Sequence, residues 1–145
     1  MNLVVSAHGV GQLVFHFEWC TKYRYKVLRQ LRFKDLLAQV IIREAEEHGV
    51  AVLELGVQDE HVHLVVGLRP THSVSGAFEH LKTKSAQALF EAEPKFRLRY
   101  PRGHFWSPGK FYRTVGDVDL ETTRAYVRAQ DHRQHTLAEY QAQAA

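Results

Sequence analysis

The chain has 145 residues, a size that suits one domain around a single core, and its 45% hydrophobic and 24% charged residues are a globular balance. No apolar stretch approaches the ~20 residues a membrane-spanning helix needs, and the start MNLVVSAHGVGQ lacks the charged n-region of a signal peptide. The single cysteine, Cys20, excludes an intrachain disulfide and fits a reducing compartment, while a net charge of +3 hints only weakly at a polyanionic partner.

No repeat, low-complexity tract or linker interrupts the chain. GQLVFHFEWC (11–20), rich in Val, Phe and Trp, reads as a strand. The basic loop TKYRYK follows, where Lys22, Arg24 and Lys26 alternate with Tyr23 and Tyr25. LRFKDLLAQVIIREAEEHG (31–49) reads as a helix with Leu36, Leu37, Val40, Ile41 and Ala45 at helical spacing and a stop at Gly49. VAVLELGVQ (50–58) and HVHLVVGL (61–68) read as two strands with only Asp59 and Glu60 between them, an antiparallel hairpin. SVSGAFEHLKTKSAQALFEAEP (73–94) reads as a second helix capped by Ser73 and carrying Lys82 and Lys84. A loop follows in which Lys95, Arg97, Arg99 and Arg102 surround Tyr100, ahead of Phe105 and Trp106. FYRTVG (111–116) reads as a fourth strand, and DLETTRAYVRAQDHRQHTLAEYQAQ (119–143) as a closing helix with Asp119 as its candidate cap.

The order β-α-β-β-α-β-α predicts an α+β fold on the split βαβ plan (ferredoxin-like or RRM-like): one antiparallel sheet, helices on one face, and a C-terminal helix. The other face would be free for a ligand. Three clusters of cations interleaved with aromatic rings suit nucleic acid, because cations meet phosphates and rings stack on exposed bases. The alternative is solvated loop charge.

His61 and His63 are two apart on a strand, so both imidazoles share one face while Val62 and Leu64 point into the core. Such a pair suits two ligands of one divalent ion, or two structurally satisfied strand histidines. A metal site needs a third protein ligand. Tyr126 and Gln130, four apart, lie on one helical face; the glutamine carbonyl oxygen is an acceptable hard ligand, and the phenol could reach a group held at the metal. On the opposite reading Tyr126 packs on the core and Gln130 is solvated. His16 shares a face with Val14 and reads as a core or cross-strand histidine rather than a ligand. Cys20 reads as packing, and His132 and His135 as surface residues beyond Gln130.

In this order the segments resemble a known family. Trp19-Cys20-Thr21-Lys22-Tyr23-Arg24, His61-Val62-His63, Trp106-Ser107 with Gly109, Thr114-Val115-Gly116, and Tyr126 with Gln130 together look like the single-tyrosine HUH transposases of the insertion-sequence 200/605 group. The likeness covers about residues 13–131, within a single domain spanning 1–145. Two positions depart from it. Glu60 stands where the family usually has Asp, and Pro108-Gly109-Lys110-Phe111 where R-G-Y-F is common; the charge and the glycine are kept.

The resemblance implies a DNA transposase of the prokaryotic cytoplasm that cleaves and rejoins single-stranded DNA at element ends and recognises DNA hairpins. Tyr126 would be the nucleophile that becomes joined to the 5′ phosphate, and His61, His63 and Gln130 would hold Mg²⁺ or Mn²⁺. Members of the family are homodimers, so Tyr126 of one subunit could serve the histidines of the other. Lys22, Arg24, Lys82, Lys84, Arg97 and Arg99 are candidates for backbone contacts. Trp106 is either a base-stacking residue or a core residue. Three rival readings stand beside this one: a non-enzymatic RRM-like nucleic-acid binder, a domesticated relative that nicks repeats, and a hydrolase using water.

Overall fold

The computed structural model describes residues 4–6, 9–11 and 13–130. Its elements in chain order are β1 (Val4–Ser6), β2 (Gly9–Gly11), β3 (Val14–Cys20), a 3₁₀ turn (Lys22–Arg24), α1 (Leu31–Glu47), β4 (Ala51–Val57), β5 (His61–Gly67), α2 (Val74–Ala92), α3 (Phe96–Arg99), β6 (Phe111–Thr114) and α4 (Asp117–Ala129). Strands β4-β5-β3-β6 form one antiparallel sheet in that order, which is the expected split βαβ plan. Among the described helices none is long and apolar enough to cross a membrane.

Alternation along β3 decides what each face of the sheet holds. Phe15, Phe17 and Trp19 point to one side, where α1 and α2 cover them; Phe17 is fully buried and stacks on Phe78 of α2 at 4.0 Å between ring centres. Val14, His16 and Glu18 point to the other side. On β5 the same rule sends Val62, Leu64 and Val66 into the main core and His61, His63 and Val65 to the opposite face. Replacing a buried core phenylalanine such as Phe17 by alanine costs about 3–5 kcal/mol, so this main core dominates stability.

The second face is not wholly open, because α4 crosses it. Val127 packs with Val14, Val65 and Val115 in a small separate cluster. A bulge in β4 between Val52 and Glu54 aids this. Val52 and Leu55 remain in the main core, while Leu53 packs toward the small cluster and Glu54 meets Arg124 and Arg128 of α4 at 3.5 and 3.1 Å. The inserted residue is what lets two consecutive side chains serve the α4 side.

The ends of the helices follow local chemistry. The Ser73 hydroxyl accepts from the Gly76 N–H at 2.9 Å, the expected cap of α2. Gly49 ends α1 with φ 76°, and a Cβ there would come within 3.0 Å of the Arg69 guanidinium. Asp119 does not cap α4: the helix begins at Asp117 with Gly116 in the cap position, so Asp119 lies inside the first turn. The first strand of the sheet starts at Val14 rather than at residue 11, because Gly9–Gly11 pairs with Val4–Ser6 in a separate two-stranded ribbon. The stretch expected to continue the closing helix to residue 143, with His132 and His135, lies outside the described residues.

Lys34 of α1 ties this frame to the β4–β5 turn. It is 2% exposed, and its ammonium donates to the Leu28 carbonyl at 2.8 Å, the Arg29 carbonyl at 3.0 Å and the Asp59 carboxylate at 2.7 Å. Lys34→Met should take this donor from the Leu28 and Arg29 carbonyls and break the ion pair with Asp59, lowering stability by about 2 kcal/mol. Urea unfolding reads the loss as a lower midpoint with an unchanged slope.

Candidate active site

The central pairing of β3 with β5 assembles the site. Glu18 stands opposite His63, and Cys20 opposite His61. The His61 and His63 rings are 4.7 Å apart between centres, on one face as expected. His16 joins them: its ring stacks on His63 at 5.7 Å, and its Nε2 is 3.5 Å from His63 Nδ1. His16 is thus buried and cross-strand, as expected, and it lies against the histidine pair. Donor atoms of His16, Glu18 and His63 all lie within 4.8 Å of one another, a possible metal site. Glu18 carried no motif in the sequence. Strand alternation together with the β3–β5 register would have found it.

Each histidine of the pair has a carboxylate at its Nδ1. Glu60 Oε1 is 2.8 Å from His61 Nδ1, and Glu18 Oε2 is 3.5 Å from His63 Nδ1. A carboxylate at Nδ1 helps orient the ring and leaves Nε2 as the atom free to ligate, the arrangement that supports imidazole ligands of metals. His63 Nε2 is buried and has no hydrogen-bond partner among the described residues. Burial first, and then the neighbouring His61, pushes the His63 pKa down to about 4. Burial, and then His63, does the same for His16, also to about 4. Both rings are thus neutral near pH 7, the form that binds a metal ion. A buried, neutral imidazole nitrogen lacking a partner fits a divalent ion.

Helix α4 brings Tyr126 to this face. Its ring stands edge-on to His63 at 5.7 Å and to His16 at 6.1 Å between centres, and it is 50% exposed. The tyrosine is neither core-packed nor remote from the histidines. One turn on, the Gln130 side-chain oxygen accepts a short hydrogen bond from the Gln58 amide. The Gln58 backbone N–H in turn donates to the His61 carbonyl at 2.9 Å, so Gln130 sits at the hairpin end beside His61. The α4 backbone is held by Val127 below and by the arginines on Glu54, which is only 6% exposed.

The other expected contacts divide. Lys22 and Arg24 lie on the 3₁₀ turn directly after β3, whose Thr21 N–H donates to the Glu60 carbonyl at 2.8 Å, so this turn flanks the site. Arg97 and Arg99 are exposed on α3, and Lys84 is exposed on α2. Lys82 is different. It is 8% exposed and its ammonium donates to the carbonyls of Ser107 at 2.9 Å and Gly109 at 3.4 Å, while burial lowers its pKa. It fastens the loop before β6 to α2 through these two carbonyls. Trp106 takes the core alternative: it is 7% exposed, and its indole N–H donates to the Lys82 carbonyl and the Ser85 hydroxyl, each at 3.1 Å. Cys20 is half-buried at the end of β3.

Comparison with known proteins gives this arrangement a family. Residues 9–130 match the family described as Transposase IS200 like. The ISDra2 transposase TnpA of Deinococcus radiodurans is 32% identical over 126 residues, which cover 87% of this chain and 86% of that protein. A crystal structure of a Deinococcus radiodurans R1 protein superposes with a TM-score of 0.72 at 28% identity, over 88% of this chain and 98% of that one. The REP-associated tyrosine transposase, solved bound to a REP hairpin, shares the fold with a TM-score of 0.59 at 15% identity, over 88% of this chain and 70% of that one. With the match running through the sheet, the histidine strand and α4, the chain belongs to the IS200-like transposase family.

Proposed function

We propose that this IS200-family transposase cleaves and rejoins single-stranded DNA at insertion-sequence ends through a tyrosine–DNA intermediate. The observation that carries the reading is the placement of a half-exposed Tyr126 ring beside His63 on the same sheet face, where carboxylates already orient His61 and His63. A water-using hydrolase would not need a phenol there, and a plain RRM-like binder would not need a buried, unpartnered imidazole nitrogen.

The chemistry follows from the groups present. The Tyr126 hydroxyl attacks the phosphorus and forms a 5′-phosphotyrosine bond. The bond from phosphorus to the 3′ oxygen breaks, and that oxygen leaves as a 3′ hydroxyl after gaining a proton. The tyrosine proton goes to solvent, to which the ring is open. The reverse attack by a 3′ hydroxyl rejoins the strand, so the bond energy is kept and no ATP is consumed. His61 and His63, through Nε2, and Gln130, through its side-chain oxygen, would hold Mg²⁺ or Mn²⁺. Once bound, the ion would stabilise charge developing on the phosphate oxygens. Gln130 would exchange its Gln58 partner for this role. A second donor set, His16, Glu18 and His63, shares only His63 with the first. The first set is favoured because Glu18 and His16 lie against Nδ1 of His63, the atom that orients the ring.

Within one chain Tyr126 already meets the histidines, which supports action in cis; exchange between protomers would require α4 to leave its valine cluster and Glu54. Two copies of the chain would serve to hold two DNA ends at once. Hairpin recognition is part of the reading, by analogy with the REP-associated relative solved on its hairpin.

Two outcomes are expected. Tyr126→Phe should abolish the covalent protein–DNA adduct, seen as label migrating with denatured protein, while leaving DNA affinity within about twofold; an adduct that persists removes Tyr126 as nucleophile. In thermal unfolding, Mn²⁺ at about a hundredfold excess over its Kd should stabilise the protein by about 2.7 kcal/mol. His61→Ala and His63→Ala should both lose that shift and His16→Asn should keep it. Loss with His16→Asn and retention with His61→Ala would transfer the ion to the second donor set.

A further inference from the structure

The Lys22–Arg24 turn beside the site is built against backbone preference. Tyr23 has φ 61° and ψ 10°, and Arg24 has φ 54°, both in the left-handed region that bulky L residues avoid. Hydrogen bonds on every side impose this shape. Besides the bond from Thr21 to Glu60, the Lys22 N–H donates to the Phe105 carbonyl at 2.9 Å and the Arg24 N–H to the Thr21 carbonyl at 2.9 Å. The Thr21 hydroxyl donates to the Tyr25 carbonyl at 2.7 Å, and the Tyr100 hydroxyl to the Lys22 carbonyl at 2.9 Å.

Packing does not explain the strain, because no residue of the turn is buried. What the turn achieves is presentation. The Tyr23 ring is 66% exposed and is backed by Tyr25 at 5.4 Å, which stacks in turn on Tyr100 at 5.9 Å between centres. The Lys22 ammonium lies 5.5 Å from the Tyr23 ring centre, and the Arg99 guanidinium 5.6 Å from that of Tyr25. An aromatic ladder rooted on the buried Tyr100 and edged by cations therefore presents Tyr23 to solvent.

Two clefts flank the turn. One, of about 290 Å³, is bounded by Lys22, Tyr23, Arg99, Tyr100, Arg102 and His104 and has no carboxylate in its lining. The other, of about 230 Å³, runs from Glu18 past Cys20 to Arg24 and Lys110, and so joins the site to the turn. The register closes the connection, since Cys20 lies opposite His61.

We propose that the Lys22–Arg24 turn is a docking platform for an unpaired nucleotide of the single strand entering the site, with Tyr23 stacked on its base. Lys22, Arg99 and Arg102 meet the adjoining phosphates, and Arg24 carries the backbone through the second cleft toward Glu18 and the histidines. Positive charge with open rings is the complement of an unpaired nucleotide, in which base and phosphate are both exposed. The strain then has a use: a fixed ring needs no ordering when the strand arrives. The platform rests on the reading of single-stranded DNA as substrate.

Fluorescence anisotropy with a labelled mixed-sequence single strand, and with an abasic strand of equal length, tests it. Glycine accepts the left-handed backbone, so Tyr23→Gly should fold at least as well as the native protein, which keeps the result interpretable. Tyr23→Gly should bind the normal strand roughly tenfold more weakly, whereas Tyr23→Phe should stay within about twofold. The abasic strand should not distinguish Tyr23→Gly from the native protein. Arg24→Gln should instead flatten the salt dependence, by about 0.7 in the log–log slope if one phosphate is no longer neutralised. Native-like binding by Tyr23→Gly would overturn the platform and leave the DNA reading standing. Failure of the native protein to bind either strand would overturn both.

Discussion

Strands β3 and β5 lie side by side at the centre of the sheet with Glu18 opposite His63 and Cys20 opposite His61. Everything else in the molecule depends on that register. Side chains alternate with period two, so a slip of one residue in either strand would carry Phe17, Val62 and Leu64 out of the main core and the histidines into it. The hydrophobic core thus enforces the geometry of the polar face. The desolvation of one set of side chains orients the imidazoles of the other, and no separate device is needed to bring Glu18 to His63.

Helix α4 is attached by weaker means. Beneath it lies a small cluster of valines, separate from the main core, and the nearby buried carboxylate of Glu54 receives two arginines. A buried carboxylate is tolerable only while it is paired, so losing α4 would leave Glu54 uncompensated. The bulge at Val52–Glu54 is therefore tied to the position of Tyr126, although it lies on a strand that carries none of the proposed catalytic side chains. A helix held by two arginine pairs to Glu54 and by Val127 against three valines is fixed in register yet contributes little to the main core, which suits an element that carries a reacting side chain.

The order of elements and the histidine pair are legible in the sequence because each rests on a strong local period. Strand alternation places His61 and His63 on one face, and helical spacing places Tyr126 and Gln130 on another. Features set by pairing between distant segments are not legible in the same way. His16 and Glu18 enter the cluster only through the register with β5, and the β1–β2 ribbon consists of three-residue strands too short to show a period. Lys82 misleads for a different reason. A lysine suggests a solvated charge, yet Phe78, Leu81, Lys82, Ser85 and Leu89 form the buried stripe of α2, and its spacing marks position 82 as inward. Residue type and position point opposite ways there, and position decides. Trp106 lies against the same stripe, and its burial follows from the same packing.

The charges on the site face suggest a division of labour. Glu18 sits beside His63, which with His16 is kept neutral chiefly by burial, and Glu60 sits beside His61. On the proposed reading, these carboxylates would favour a divalent cation and oppose a bare phosphodiester. If His61 and His63 hold the ion, it must be in place before a phosphate can approach, and attraction of the strand falls to groups outside the centre. The basic and aromatic turn beginning at Lys22 stands at that border, two residues beyond the end of β3. On the two proposals, the sheet would place the ion and the entering strand within one short stretch of chain, with the strained backbone of Tyr23 and Arg24 on the strand side.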